Sequence, residues 1–185
     1  MINEILTNAE NRMNKVESIL VSDFGSLRAG RATPALLDKL LVEYYGTPTP
    51  INQMANISCP EPRLILIQPW DKGNIGAIEK AILKSDLSMT PNSDGTVIRL
   101  VVPQLTEETR KDLVKQCSKK TEEAKIAVRN IRRDVNDGLK VLEKAKDASE
   151  DEVKKGLEDA QKITDRFIKR LDEILTVKEK EIMQV

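Results

Sequence analysis

Six basic side chains, Lys111, Lys115, Lys125, Arg129, Arg132 and Arg133, recur along a stretch whose apolar residues keep a helical rhythm. At about 100° per residue they fall in one sector about 100° wide, roughly 110° round from the apolar seam. Like charges four residues apart, as in Lys125/Arg129 and Arg129/Arg133, each cost a few tenths of a kcal/mol, so their concentration points to an anionic partner. Arginine sharpens the reading, because its planar fork grips phosphate bidentately where lysine acts as a point charge. The alternative is a solvated face balanced by Glu122 and Asp134. Between Thr106 and Arg133 there are nine basic residues against five acidic, although the whole chain carries 30 of each. Beyond Arg133 the balance reverses, to 11 against 14. Aromatic residues make up 3% of the chain and none lies in this stretch. Stacking on the bases of a single strand is therefore disfavoured, while backbone and shape recognition of folded RNA stays open.

No catalytic constellation accompanies this face. The chain has no histidine, no GxSxG, no Walker lysine loop, no GxGxxG and no carboxylates at metal-ligand spacing. An enzyme, a cofactor and a metal are all unexpected. The paired carboxylates Glu107-Glu108 and Glu150-Asp151-Glu152 sit at helix starts, where the dipole favours anions, and Glu122-Glu123 reads as a solvated face. Cys59 and Cys117 have no CxxC spacing and read as buried, reduced thiols. The longest apolar runs, near Leu64 to Ile67 and Val97 to Val102, fall far short of the ~20 residues that span a bilayer. With Met1 opening straight into a helix, the expectation is an unprocessed cytoplasmic protein and no membrane partner.

Three amphipathic helices must position the basic residues. Ile2, Leu6, Ala9, Met13, Val16, Leu20, Phe24 and Leu27 recur at steps of four and three along the first. Val114, Cys117, Thr121, Ala124, Val128, Ile131, Val135, Gly138, Leu142 and Ala145 do so along the second, a rod of about 60 Å at 1.5 Å per residue. Ser149 to Glu152 forms a capping box, and a third stripe runs through Val153, Leu157, Ala160, Ile163, Phe167, Leu171 and Ile174. Stripes this narrow satisfy one another as an antiparallel three-helix bundle, with a coiled-coil dimer as the competing arrangement. Between the first two helices lies a body rich in proline and β-branched runs. Strands are expected over 40–45, 56–59, 63–68 and 96–102, with 46–50 ending the first and Pro60 and Pro62 keeping the middle pair short. A helix over 74–83 buries Ile75, Ile78, Ala81 and Ile82 on one side, and Asn92-Ser93-Asp94-Gly95 turns the chain. The fold class is thus α+β: a bundle from 1–29 and 105–185, and an inserted β/α/β body over 30–104. Periodicity stops at Gly30, Arg31 and Ala32 and again at Gln104, Leu105 and Thr106, two adjacent linkers that together make a hinge. Thr106 is placed to cap the long helix.

The residues Leu27-Arg28-Ala29-Gly30-Arg31-Ala32-Thr33-Pro34-Ala35-Leu36-Leu37, Val42 to Pro50, and Ala127-Val128-Arg129-Asn130-Ile131-Arg132-Arg133-Asp134 closely resemble those of the bacterial ribosome recycling factors. Lys80-Ala81-Ile82 and Pro91-Asn92-Ser93 also fit, and the resemblance covers essentially the whole chain. It implies an elongated, L-shaped molecule that acts after translation termination. With elongation factor G and GTP, members split the ribosome into subunits and free mRNA and deacylated tRNA. The bundle would lie, as a monomer, on large-subunit ribosomal RNA near the peptidyl site. By motif match Arg28, Arg31, Arg129 and Arg132 would contact RNA; the long helix adds Arg110, Lys125 and Arg133. Ser26 and Ala29 depart from the family, which often carries lysine or threonine there, so this end should grip less. A general structured-RNA-binding helical module would use the same arginines without the hinge, and a coiled-coil scaffold would use only the seams.

Overall fold

The computed structural model describes residues 1–27, 31–87 and 89–184. In chain order the elements are α1 (Ile2–Gly25), a hairpin of β1 (Leu41–Tyr44) and β2 (Thr47–Pro50), strands β3 (Ala55–Glu61) and β4 (Leu64–Pro69), α2 (Ile75–Lys84), strands β5 (Pro91–Ser93) and β6 (Ile98–Val101), then α3 (Glu107–Lys144) and α4 (Glu150–Met183). The chain is α+β and divides into two compact units. One comprises Met1–Asp23 with Val114–Lys180, the other Phe24–Leu113 with Glu181–Val185.

In the first unit the cross-helix pairs reveal the directions. Arg12 donates to Asp134 at 2.9 Å and the Lys120 ammonium stands 4.0 Å from Asp23, so rising numbers on α1 meet falling numbers on α3. Lys125 with Asp172 and Arg132 with Gln161 oppose α3 to α4 in the same way. Glu10 with Arg166 and Glu17 with Arg170 rise together. The central rod α3 is therefore antiparallel to both neighbours, the arrangement that lets three narrow stripes close on one another. Ser149 and Glu152 cap α4 as expected: the Glu152 amide donates to the Ser149 hydroxyl at 3.2 Å and the Ser149 amide to the Glu152 carboxylate at 2.8 Å. That return bond holds the Glu152 carboxyl below the usual glutamate value.

The buried seam follows the expected stripes in the middle of α3, through Cys117, Thr121, Ala124, Val128, Ile131 and Val135. Toward the ends it slips by one residue, to Leu113 beside the half-buried Val114 and to Leu139 beside the half-buried Gly138. A helix of 3.6 residues per turn drifts about 20° per heptad against a strict four-three repeat, so a long seam cannot keep that repeat. On α4 the seam also slips by one residue. Gly156 and Thr164 are buried where Leu157 and Ile163 were expected, and those two are only half-buried. Thr121 and Thr164 enter the core because their hydroxyls donate to the carbonyls of Cys117 at 2.9 Å and Ala160 at 2.8 Å, leaving no unpaired donor. Phe167 and Leu171 are fully enclosed, each contributing about 1.5–3 kcal/mol of burial.

In the second unit β3, β4, β6 and β5 form one antiparallel sheet in that order, and β1 pairs with β2. Ile65 and Ile67 of β4, Ile98 and Leu100 of β6, and Ile78 and Ile82 of α2 share a single core. Three prolines behave differently from the sequence expectation. Residues 47–50 do not simply end a strand but form one, with Thr47 and Thr49 facing Tyr44 and Val42, and Pro48 and Pro50 facing Glu43 and Leu41. The prolines alternate with threonines, so both occupy the same set of ladder positions, which an edge strand tolerates. Tyr45 (φ 46°) and Gly46 (φ 79°) make the left-handed two-residue turn that right-twisted strands favour. Likewise β3 runs through Pro60, and the register shifts between Ser58 and Glu61 to absorb the lost donor. Cys117 is buried and Cys59 half-buried, and neither is in a disulfide among the described residues.

Asp94 fastens the β5–β6 turn by accepting from the amides of Val97 at 3.0 Å and Thr96 at 2.9 Å. Those bonds, backed by the Thr96 hydroxyl and the Arg99 guanidinium, pull its carboxyl down to about 2. Its folded pKa lies below the unfolded one, so its contribution is complete above the ordinary aspartate value and is lost as pH falls through about 2. Amide signals of Thr96 and Val97 followed by NMR should titrate with a midpoint near that value; a midpoint near 4 would contradict the geometry. Two glycines should respond oppositely to alanine. A Cβ at Gly156 would stand 3.1 Å from Leu139 Cδ1 and 3.2 Å from Ile2 Cγ2, with Leu139 fully enclosed. Gly156→Ala should therefore lose about 1 kcal/mol net of its helix-propensity gain. A Cβ at Gly138 meets only Ile5 Cδ1 at an ordinary 3.7 Å, so Gly138→Ala should gain up to about 1 kcal/mol. Thermal midpoints moving in the same direction would refute this packing contrast.

Candidate nucleic-acid interface

The cations of the first unit separate into those the fold uses internally and those it leaves outward. Arg12 is taken by Asp134, Arg166 by Glu10 and Arg170 by Glu17, all pairs that tie α1 to its neighbours. Arg166 and Arg170 also flank the Phe167 ring, 5.6 and 5.3 Å from its centroid. Asp134 therefore serves α1 and does not balance the basic sector.

On the opposite side of α3 the expected site residues differ among themselves. Lys125 is mostly covered, its side chain 13% exposed, and its ammonium meets Asp172 of α4 at 2.5 Å and Glu122 at 3.4 Å. The hydrogen bond to Asp172 is the main reason its pKa is raised above the ordinary lysine value. This lysine is a strut between helices. Arg132, half-buried, reaches across to α4, where Nη1 donates to Gln161 Oε1 at 3.0 Å. Its Nε is buried and has no partner among the described residues. Arg129 and Arg133 are exposed, and neither makes an ion pair among the described residues. Three guanidinium groups thus share this stretch of α3 without a carboxylate partner among the described residues.

The remaining expected residues lie elsewhere. Arg110 is half-buried with an unpartnered Nε, and it precedes Val128 by five full turns, which aligns it with the seam and not with the basic sector. It belongs to the second unit, as does the exposed Arg31. Arg28 and Gly30 lie outside the described residues. Of the linker residues, Gln104 is exposed, Leu105 is buried, and the Thr106 hydroxyl caps α3 by accepting from the Thr109 amide at 3.1 Å. Ala32 donates to the Pro62 carbonyl at 2.7 Å, and Val102 donates to the Arg63 carbonyl at 2.8 Å. Arg63 Nε returns a bond to the Val102 carbonyl at 3.0 Å. Both connections are therefore pinned at the same β3–β4 turn. Sequence reasoning missed Gln161, Asp165 and Asp172, because their roles depend on which part of α4 lies beside α3. Among the described residues no helix is long and apolar enough to cross a membrane.

The described residues thus define a three-helix bundle with exposed arginines on one face, carried with a small α+β unit. The family model described as Ribosome recycling factor matches residues 20–183. This chain belongs to the ribosome recycling factor family, and it is a non-enzymatic translation factor. It is 60% identical to the ribosome-recycling factor of Carboxydothermus hydrogenoformans and 62% identical to that of Syntrophomonas wolfei, in each case over all of both chains. A solution structure of a ribosome recycling factor superposes with a TM-score of 0.80 at 42% identity, covering 100% of this chain and 98% of that one. The Thermus thermophilus factor, described together with Escherichia coli elongation factor G on the E. coli post-termination complex, gives 0.67 at 44% identity and covers 98% of both chains.

Exchange of single cations should separate strut from contact. Lys125→Ala should lower stability by about 1 kcal/mol and leave the salt dependence of binding to large ribosomal subunits nearly unchanged. Because its folded pKa is raised, the Lys125 contribution is present at neutral pH and fades only as pH rises above the ordinary lysine range. Arg129→Ala should leave stability within about 0.5 kcal/mol and make the salt slope shallower by about one. The reverse pattern would overturn the division.

Proposed function

We propose that this chain, with elongation factor G and GTP hydrolysis, splits post-termination ribosomes into subunits and so frees mRNA and deacylated tRNA. In this reading the bundle lies as a monomer on large-subunit ribosomal RNA near the peptidyl site, in the cytoplasm where ribosomes work. The observation that carries it is the set Arg129, Arg132 and Arg133, which meets no carboxylate among the described residues in a unit whose other arginines are paired across helices. Membership of the family and the likeness to a factor described with elongation factor G on a ribosome support the same reading. Arg28 and Arg31 extend the contact by motif match, and Arg110 and Lys125 contribute less.

The body over 30–104 acts as the part that elongation factor G pushes, with the bundle of 1–29 and 105–185 anchored on RNA. Its joint comprises Gly30, Arg31 and Ala32 on one strand and Gln104, Leu105 and Thr106 on the other. Pinning Ala32 to Pro62 and Val102 to Arg63 supports this placement, because it fixes the incoming and the outgoing strand to one turn of that body.

Arg132→Ala tests the reading directly. Removing a charge-assisted hydrogen bond to phosphate from a partly desolvated interface costs about 1.5–3 kcal/mol, so affinity for the large subunit should fall by roughly one to two decades. Subunit splitting with elongation factor G and GTP should slow in parallel while the thermal midpoint holds. Wild-type affinity in this variant would sink the assignment of the face.

A further inference from the structure

Arg132 and Lys125 both reach from α3 to α4, yet they are received differently. Lys125 ends on a carboxylate, Asp172, which cancels its charge. Arg132 ends on a neutral amide: Nη1 donates to Gln161 Oε1 at 3.0 Å, and Gln161 Nε2 donates to Asp165 Oδ1 at 2.8 Å. Arginine can only donate and an ionised aspartate can only accept, so the amide between them has one orientation. The acidic group lies one hydrogen bond further from the guanidinium than a direct partner would. The Gln161 amide therefore restrains a long side chain without forming an ion pair with it. The Arg132 Nε is buried and meets no partner among the described residues, so the printed hold on this guanidinium is the single bond through Nη1.

We infer that Gln161 is a positioning residue for Arg132, oriented in turn by Asp165, and that it presents the guanidinium still fully charged to a phosphate of structured RNA. This rests on the reading of the arginine face given above. A free arginine loses most of its rotamer freedom when it grips a phosphate; one already held loses less, and the difference appears as affinity. Gln161 touches no phosphate in this scheme. It acts through Arg132 alone.

The test uses the full chain, purified large ribosomal subunits and four variants: Gln161→Leu, Gln161→Glu, Arg132→Ala and the double variant Arg132→Ala/Gln161→Leu. Affinity is measured across a salt series, with a thermal midpoint for each. Gln161→Leu should bind about two- to tenfold more weakly with an unchanged salt slope, because only order is lost. Gln161→Glu should pair with Arg132, bind more weakly still, and give a slope shallower by about one. Once Arg132 is alanine, Gln161→Leu should have no further effect. Wild-type affinity in Gln161→Leu, alongside weak binding by Arg132→Ala, would overturn the positioning role and leave the face intact. An equal loss with and without Arg132 would likewise overturn it, since the amide would then act on something else. Wild-type binding by Arg132→Ala would remove the face itself, and the role of Gln161 with it.

Discussion

Each long helix of this chain carries an apolar stripe too narrow to be buried against a single flat neighbour, and the structure depends on three such stripes meeting along one line. Fully enclosed Phe167, Leu171 and Leu139 mark that line, and Gly156 lets α4 approach both α1 and α3 at the far end of the bundle. Close packing fixes the rotation of each helix about its own axis. Rotation in turn decides which charged side chains look toward a neighbour and which look outward.

Electrostatics then follows from packing. Cations beside a helix–helix border meet carboxylates, as Arg12, Arg166, Arg170 and Lys125 do, and become part of the bundle's own lacing. Those turned further round, Arg129 and Arg133, find no carboxylate among the described residues. Exposed pairs of this kind add little stability, so their value lies in removing charge from some surfaces and concentrating it on one. A chain with equal numbers of acidic and basic residues can thus present a strongly basic strip.

The small unit shows how prolines are managed in a sheet. β2 places both of its prolines on one set of ladder positions, and β3 takes Pro60 at a shift of register. The β3–β4 turn that follows holds the chain on its way in, through Ala32, and on its way out, through Val102.

Much of this was legible in the sequence, because periodicity and capping are local. The three helices, the Ser149–Glu152 box, the Thr106 cap, the apolar side of α2 and the Asp94 turn all follow from residues within one or two turns of each other. The outward placement of Arg129 and Arg133 was legible for the same reason, since the sector a helical residue occupies depends only on its number. What the sequence could not determine was everything that needs a second helix in register. The seam's slip to Gly156 and Thr164 is one such feature. The capture of Lys125 by Asp172, the diversion of Asp134 to Arg12 and the seating of Arg132 on Gln161 are others, and they join residues 29 to 122 positions apart. Pairings at such separations are set by how three rods rotate and slide until their cores fit. That is a collective property of the packed state, and no local run of residues encodes it.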